Sequence, residues 1–196
     1  MNYHLTSKWY LVLNMKLIGI SGLARSGKDS FYNFSKPYLE SFNKRHKRYA
    51  FADALKEEAD ELLSKYVGIS AFTEHPSEKE IIRPFLVTYG THVRRKLNPD
   101  CWINKIQNDV LSDLDQETYV FVTDVRFENE IDWVHEMGGE SIHITRQNNI
   151  APNQEELKND PILKSNSKHH IEWGEFEEET QDKISNKVNQ LLLSII

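Results

Sequence analysis

Residues 16–30 read KLIGISGLARSGKDS. Lys16 to Ser21 is a short apolar run ending at a glycine, the length and texture of a buried strand. Gly22 and Gly27 follow, five positions apart, with Lys28 directly after the second. A G-x-x-x-x-G-K spacing between a strand and a helix is a phosphate-binding loop. Glycine serves where backbone must come close to phosphate oxygens. Loop N–H groups then wrap the anion, and the helix that opens at Gly27 aims its positive end at the same point. Lys28 reaches the outer phosphates. Most such loops place Ser or Thr after the lysine to ligate Mg²⁺; here Asp29 fills that slot and Ser30 follows. An aspartate beside a triphosphate is repelled unless it faces Mg²⁺, its waters or an acceptor phosphate. That turns the reading away from motor and switch ATPases and toward small-molecule kinases. The phosphate set is therefore Gly22, Ser26, Gly27, Lys28, Asp29 and Ser30, with Arg25 inside the loop.

Outward from this loop, strand and helix patterns alternate. A helix is expected from Gly27 to about Tyr38, kinked or ended by Pro37. A short strand at Arg48–Ala52 precedes Asp53, read as the N-cap of a helix through Leu55, Ala59, Leu62 and Leu63. Glu78 to Lys96 reads as a helix interrupted near Pro84 and Gly90, and Asp100 caps another at Trp102–Leu114. Thr118–Thr123 is a strand with Asp124 just after it. Glu128–Met137 is a helix stopped by Gly138 and Gly139, and Ser141–Thr145 is a strand. Ala151–Glu179 is polar and weakly periodic, and is expected to be mostly loop. A short strand at Lys183–Ser185 and a helix at Lys187–Ile196 close the pattern. The implied fold class is an α/β three-layer sandwich, a mostly parallel five-stranded sheet with helices on both faces, in one domain over residues 15–196. Residues 1–14 read as an extension.

Three further stretches carry chemistry. In TYVFVTDVRFENE, from Thr118, Asp124 ends a buried apolar strand, where a phosphate-loop fold keeps its second Mg²⁺-side carboxylate. Open α/β sheets bind ligands outside the carboxyl ends of their strands, so Asp124 is expected in the same crevice as the loop. Arg126, two residues on, can clamp a phosphate, and Glu130, one helical turn further, can hold its guanidinium. RPFLVTYGTHVRRKLNPDCW, from Arg83, supplies Arg83, Arg94 and Arg95 for an anionic substrate and Trp102 as a flat apolar face; a helix with one core face and one basic face is the blander account. Lys56, at the start of its helix, is placed to meet an anionic acceptor, although a surface lysine is the default.

The chain of 196 residues has a formal net charge of −6, and residues 151–182 hold nine acids against three lysines, leaving the remainder balanced. A near-neutral body argues against a nucleic-acid coat, so no stable nucleic-acid binding is expected. One cysteine, Cys101, excludes an intrachain disulfide framework and a Cys-based zinc site, which suits a reducing cytoplasm. No apolar run is long enough for a bilayer or a signal peptide, so no membrane partner is expected. His143 and the His169-His170 pair show no metal-ligand spacing.

Taken together, KLIGISGLARSGKDSF, FADALKE, RPFLVTYGTHVRRKLNPDCWINKI and TYVFVTDVRFENEIDWVHEMGGESIHITR, in that order, resemble the deoxynucleoside monophosphate kinases of bacteriophages. The likeness runs from Lys16 to about Arg146, and its specific parts are the GKD ending and the TD-x-R-x-x-x-E pattern. It implies a P-loop kinase fold that transfers the γ-phosphate of ATP to a deoxynucleoside 5′-monophosphate with Mg²⁺. By position it implies that Arg25 is the loop arginine and that Gly90, Thr91, Trp102, Asp124, Arg126 and Glu130 fall on motif positions. Asp29 and Asp124 would serve Mg²⁺, through water. The partners implied are small-molecule nucleotides, with a homodimer as the candidate assembly and the host cytoplasm as the setting. His169-His170-Ile171-Glu172 matches the family's late His-x-Ser/Thr-Glu stretch only loosely. Animal-type phosphomevalonate kinases share the GKD loop and an aspartate–arginine pair, and are the runner-up; a nucleotide-binding switch without metabolic chemistry is the alternative from another class.

Overall fold

The computed structural model describes residues 16–174 and 181–196; the extension expected at 1–14 lies outside them. The chain divides into two compact units, one formed by the residues up to Tyr49 together with Asp109–Ile196, the other by Ala50–Asn108.

The first unit carries the sheet: β1 (Leu17–Ser21), β2 (His46–Tyr49), β3 (Tyr119–Val125), β4 (Glu140–Arg146) and β5 (His169–Trp173). The order is β2-β3-β1-β4-β5 and every pairing is parallel. β1 and β3 are buried along their whole length, which is why LIGIS and YVFVTDV are nearly continuous apolar runs rather than alternating ones. β2, at one edge, is only half-buried and reads HKRY. In chain order the helices are α1 (Lys28–Ser41), α2 (Phe51–Tyr66), α3 (Pro76–Val87), α4 (Cys101–Asp115), α5 (Glu128–Glu136), α6 (Gln154–Asn166) and α7 (Gln181–Ile195).

Ile18 and Ile20 of β1 face one layer, where they meet Phe121, Ile142, Phe31 of α1 and Val188 of α7 in one core. Gly19 faces the other layer, and a Cβ added there would stand 2.8 Å from Val134 Cγ2 of α5. α5 and α6 pack together on that side. The sheet is thus covered on both faces. β1 lies between β3 and β4 although the chain visits β2 first, so strand order reverses beside β1 and a crevice opens at its carboxyl end. This is the α/β fold of the P-loop kinases, with the loop-bearing strand at its centre.

The second unit is helical. Ala59, Leu63, Ala71 and Ile82 form a small core beneath Ile69 and Leu86. A π-helical segment, Thr88–Arg95, continues α3 without a break. Gly90 is buried in it because Leu55 packs there; a Cβ would stand 2.8 Å from Leu55 Cδ2.

Several boundaries differ from those the sequence suggested. α1 runs through Pro37 to Ser41, since the buried stripe of Phe31, Tyr32, Ser35 and Leu39 outweighs the hydrogen bond the proline cannot donate. β2 ends at Tyr49 and α2 begins at Phe51, so Asp53 sits in the first turn and extended Ala50 takes the cap position. Between Pro84 and Gly90 the helix is not broken but changes type, from α to π at Thr88. Asp124 lies inside β3 rather than after it. The largest correction falls in the stretch 151–179, expected as loop: its described part, 151–174, holds α6 and β5, and 175–179 lie outside the described residues. The fifth strand is β5, and the expected strand at Lys183–Ser185 belongs to α7. α6 hides well because Leu163 is the one residue it fully buries and Pro161 lies inside it. Such a helix has little 3.6-residue apolar period to read.

Candidate active site

The loop between β1 and α1 needs its glycines. Gly22 has φ +133° and a Cβ there would run into the carbonyl oxygen of Ile144; Gly27 has φ +100° and a Cβ there would stand 2.8 Å from Trp173 Nε1. Arg25 completes the bend with φ 65° and is exposed. Ser26 is buried, with its N–H donating to Leu23 O at 3.1 Å. Lys28 opens α1 and is 8% exposed, with Nζ donating to Gly22 O and Leu23 O at 2.7 and 2.8 Å.

That ammonium stands among charges. Burial, and then the nearby Arg126 guanidinium, lower its pKa to about 8, while Glu156, Asp124 and Asp29 oppose the fall. Asp29 follows Lys28 in α1, and Arg126 shares a cleft with Gly22 and Leu23, the loop residues whose carbonyls Lys28 holds. Asp29 Oδ1 accepts Arg48 Nε at 3.1 Å and the Thr123 hydroxyl at 3.2 Å, which ties the start of α1 to the end of β3. Asp124, next in β3, is buried at 8% exposure. Ser30, half-buried, is the third residue of α1.

Glu130 differs from expectation. It is fully buried, and its Oε2 accepts the backbone N–H groups of Arg126 and Phe127 at 2.6 and 3.0 Å. It therefore fixes the entry of α5 by reaching back to the N-cap N–H of Phe127, and acts on Arg126 through the backbone. The guanidinium instead meets Glu156 of α6, with Nη1 donating to Oε1 at 2.9 Å. Glu156 Oε2 in turn accepts the N–H of Ala24 in the loop at 2.9 Å. Gly22 and Leu23, Val125 and Arg126, and Glu156 and Asn159 line one small cleft.

Sequence reasoning missed Glu156. A signal was there: Asn153 followed three residues later by Glu156 is a helix-start pattern, and the Asn153 side chain does accept the Glu156 N–H at 2.8 Å. Beneath the cleft, the Ser21 hydroxyl lies 3.0 Å from His143 Nδ1, and His143 Nε2 lies 3.6 Å from Asp160 of α6. Burial, and then His170, lower the His143 pKa to about 4.

The remaining candidates lie in the second unit. Arg94 Nε pairs with Glu58 at 2.6 Å, and Tyr89 and Lys105 bond the same carboxylate at 2.6 and 2.9 Å. Trp102 is 2% exposed, with the Arg94 guanidinium 5.7 Å from its ring centroid, so it offers no open face to a base. Lys56 lies 3.9 Å from Asp53 and over the Phe72 ring. Arg95 donates to Pro99 O at 3.3 Å, Arg83 is exposed, and Gly90 and Thr91 are part of the π-helical segment.

An all-parallel sheet whose central strand opens into a glycine-bent loop, with Lys28, Asp124 and Arg126 at its mouth, defines a P-loop phosphotransferase. Residues 60–184 match the family described as deoxynucleotide monophosphate kinase, and the chain belongs to that family. The match begins beyond the loop, so the phosphate-binding loop and the family match are separate observations. No curated protein matches the chain. Among solved structures it is similar to shikimate kinase from Bacteroides thetaiotaomicron, at 14% identity over 91% of this chain and 98% of that one, with a TM-score of 0.46. It is also similar to the structure titled APE1195, at 14% identity over 92% and 96%, with a TM-score of 0.41. ATP is the phosphoryl donor that the kinase family implies. Among the described residues no helix is long and apolar enough to cross a membrane.

Proposed function

We propose that the chain transfers the γ-phosphate of ATP to a deoxynucleoside 5′-monophosphate in the cleft at the carboxyl ends of β1 and β3. The observation that carries this is that Arg126 and the loop residues Gly22 and Leu23 line one cleft, with Lys28 bonded to the carbonyls of those two loop residues, in a chain of this family. Phosphoryl transfer asks mainly for alignment and charge stabilisation. Lys28, Arg25 and the loop N–H groups hold the donor phosphates, and Arg126 holds the acceptor phosphate. An acceptor oxygen, ionised near neutral pH, attacks the γ-phosphorus in line; the bond to the β-bridging oxygen breaks and ADP leaves. No strong general base is required.

Asp29 and Asp124 suit Mg²⁺, which takes hard oxygen ligands, keeps several waters and is held by one or two carboxylates plus substrate phosphates. Asp29 is exposed, and both carboxylates influence Lys28 at the mouth of the loop. When bound, the ion offsets charge on the transferring phosphate. Lys56, Arg83, Arg94 and Arg95 are proposed to recognise the acceptor on the strength of sequence alone.

The test is an acceptor screen: Mg-ATP with each of the four dNMPs, the rNMPs and phosphomevalonate, scored for ADP release. Release that depends on a dNMP supports the proposal. Release that depends on phosphomevalonate, or that is indifferent to acceptor, rejects it.

A further inference from the structure

α6 brings to the cleft a group that the kinase reading does not use. Glu156 joins the Ala24 N–H of the loop to the Arg126 guanidinium, each at 2.9 Å, and its side chain is 11% exposed. Asn159 of the same helix donates to Arg126 O at 3.2 Å, and Asn149 donates to Ala24 O at 2.9 Å. Two groups suited to phosphate, a loop amide of the donor site and the guanidinium proposed for the acceptor phosphate, are thus already bridged by a carboxylate of the chain itself. Carboxylate and phosphate oxygens answer the same donors in the same way.

The helix that carries this carboxylate is lightly anchored. It fully buries Leu163 alone, near its far end, while Leu157, one residue after Glu156, is 65% exposed. Little apolar surface resists a displacement of its first turns, because burial stabilises in proportion to the area removed from water.

We infer that Glu156 is an internal anion that occupies part of the phosphate cradle and is displaced when a polyphosphate binds, so that it sets the affinity threshold of the donor site. The inference rests on the reading of the loop as that site. Displacing Glu156 costs every incoming anion the same amount. A single phosphate, with few contacts to gain, falls out of the useful range; a triphosphate, gripped by Lys28 and several amides, stays within it. Glu156 is a positioning residue for Arg126 only if it remains in place when nucleotide binds, and the two roles predict different kinetics.

The experiment is calorimetric titration of the full chain with tripolyphosphate and with ATP, comparing wild type, Glu156→Gln, Glu156→Ala and Lys28→Met, with thermal melts to confirm folding. Glu156→Ala is expected to bind both ligands about tenfold more tightly, the scale of one charge-assisted hydrogen bond, and the isosteric Glu156→Gln to tighten in the same direction by less. In turnover, KM for ATP falls while kcat does not fall with it. If both folded variants bind no more tightly than wild type, or lose kcat with KM unchanged, the inference is overturned and Glu156 is a fixed support for Arg126. Wild-type ATP binding that is lost in Lys28→Met shows the donor site to be sound in either case. If wild type binds neither ligand, the donor-site reading fails and the inference fails with it.

Discussion

The loop at Gly22–Ser30 and the helix α6 meet across one cleft, but different forces hold them. The loop springs from β1, buried along its length, and runs into α1, which seats Phe31 and Leu39 in the main core. Its bends are fixed by two glycines packed against Ile144 O and Trp173. α6 contributes one fully buried side chain and is tied down by an Asn153 cap and by the polar contacts of Glu156 and Asn159. A surface built on packing keeps its geometry as charge comes and goes. One built on ion pairs is rearranged by the next anion to arrive. The cleft thus has a fixed wall and a yielding one.

If the fixed wall does the gripping, damage to it has the largest effects. Lys28→Met is expected to lower kcat by on the order of 10²- to 10³-fold, the scale of one preorganised charge stabiliser, with the melting temperature barely changed. Turnover within a few fold of wild type would remove Lys28 from the mechanism. Gly22→Ala asks a non-glycine residue to hold φ +133° against a backbone oxygen, and is expected to destabilise by about 2 kcal/mol or more while abolishing ATP binding. Denaturant unfolding and calorimetry read the two effects separately.

A pH titration sharpens the contrast further. Because the folded pKa of Lys28 is lowered to about 8, the ammonium is lost as pH rises through that value, and ATP affinity is expected to weaken above about pH 8. Between that value and the ordinary lysine range the unfolded chain holds a proton that the folded chain has released. This group therefore favours folding more as pH rises, so binding and stability should move in opposite directions there. His143, lowered to about 4, acts at the other end: the unfolded chain takes up a proton below its ordinary range that the folded chain refuses. Stability is expected to fall as pH drops toward 4, and His143→Gln should flatten that slope in acid melts. The smallest effect belongs to the yielding wall. Asn153→Ala removes a helix cap worth about 1 kcal/mol, and hydrogen exchange should quicken in the first turns of α6 while β1 and β3 stay protected.

The same contrast decides what could be read from the sequence. β1, its loop and β3 announce themselves because burial on both faces demands apolar runs, and because phosphate geometry demands glycines at set intervals. Arg126 follows from where such a strand must end, while Asp124, expected just after the strand, is its penultimate residue. α6 is opaque to periodicity, and its one legible mark was the Asn153–Glu156 pair. Glu130 was placed in the right neighbourhood with the wrong partner, since spacing alone cannot tell a guanidinium from the amides at a helix start. Trp102 was read as a face for a base, yet it is buried beneath Arg94, an outcome that depends on tertiary packing and not on composition.

The most direct test follows the label. With ATP carrying a radioactive γ-phosphate and a dNMP as acceptor in a single turnover, the account predicts label in the deoxynucleoside diphosphate for wild type, and at least about tenfold less transfer for Arg126→Ala at unchanged ATP affinity. Label released as inorganic phosphate at the same rate with or without the acceptor would contradict it.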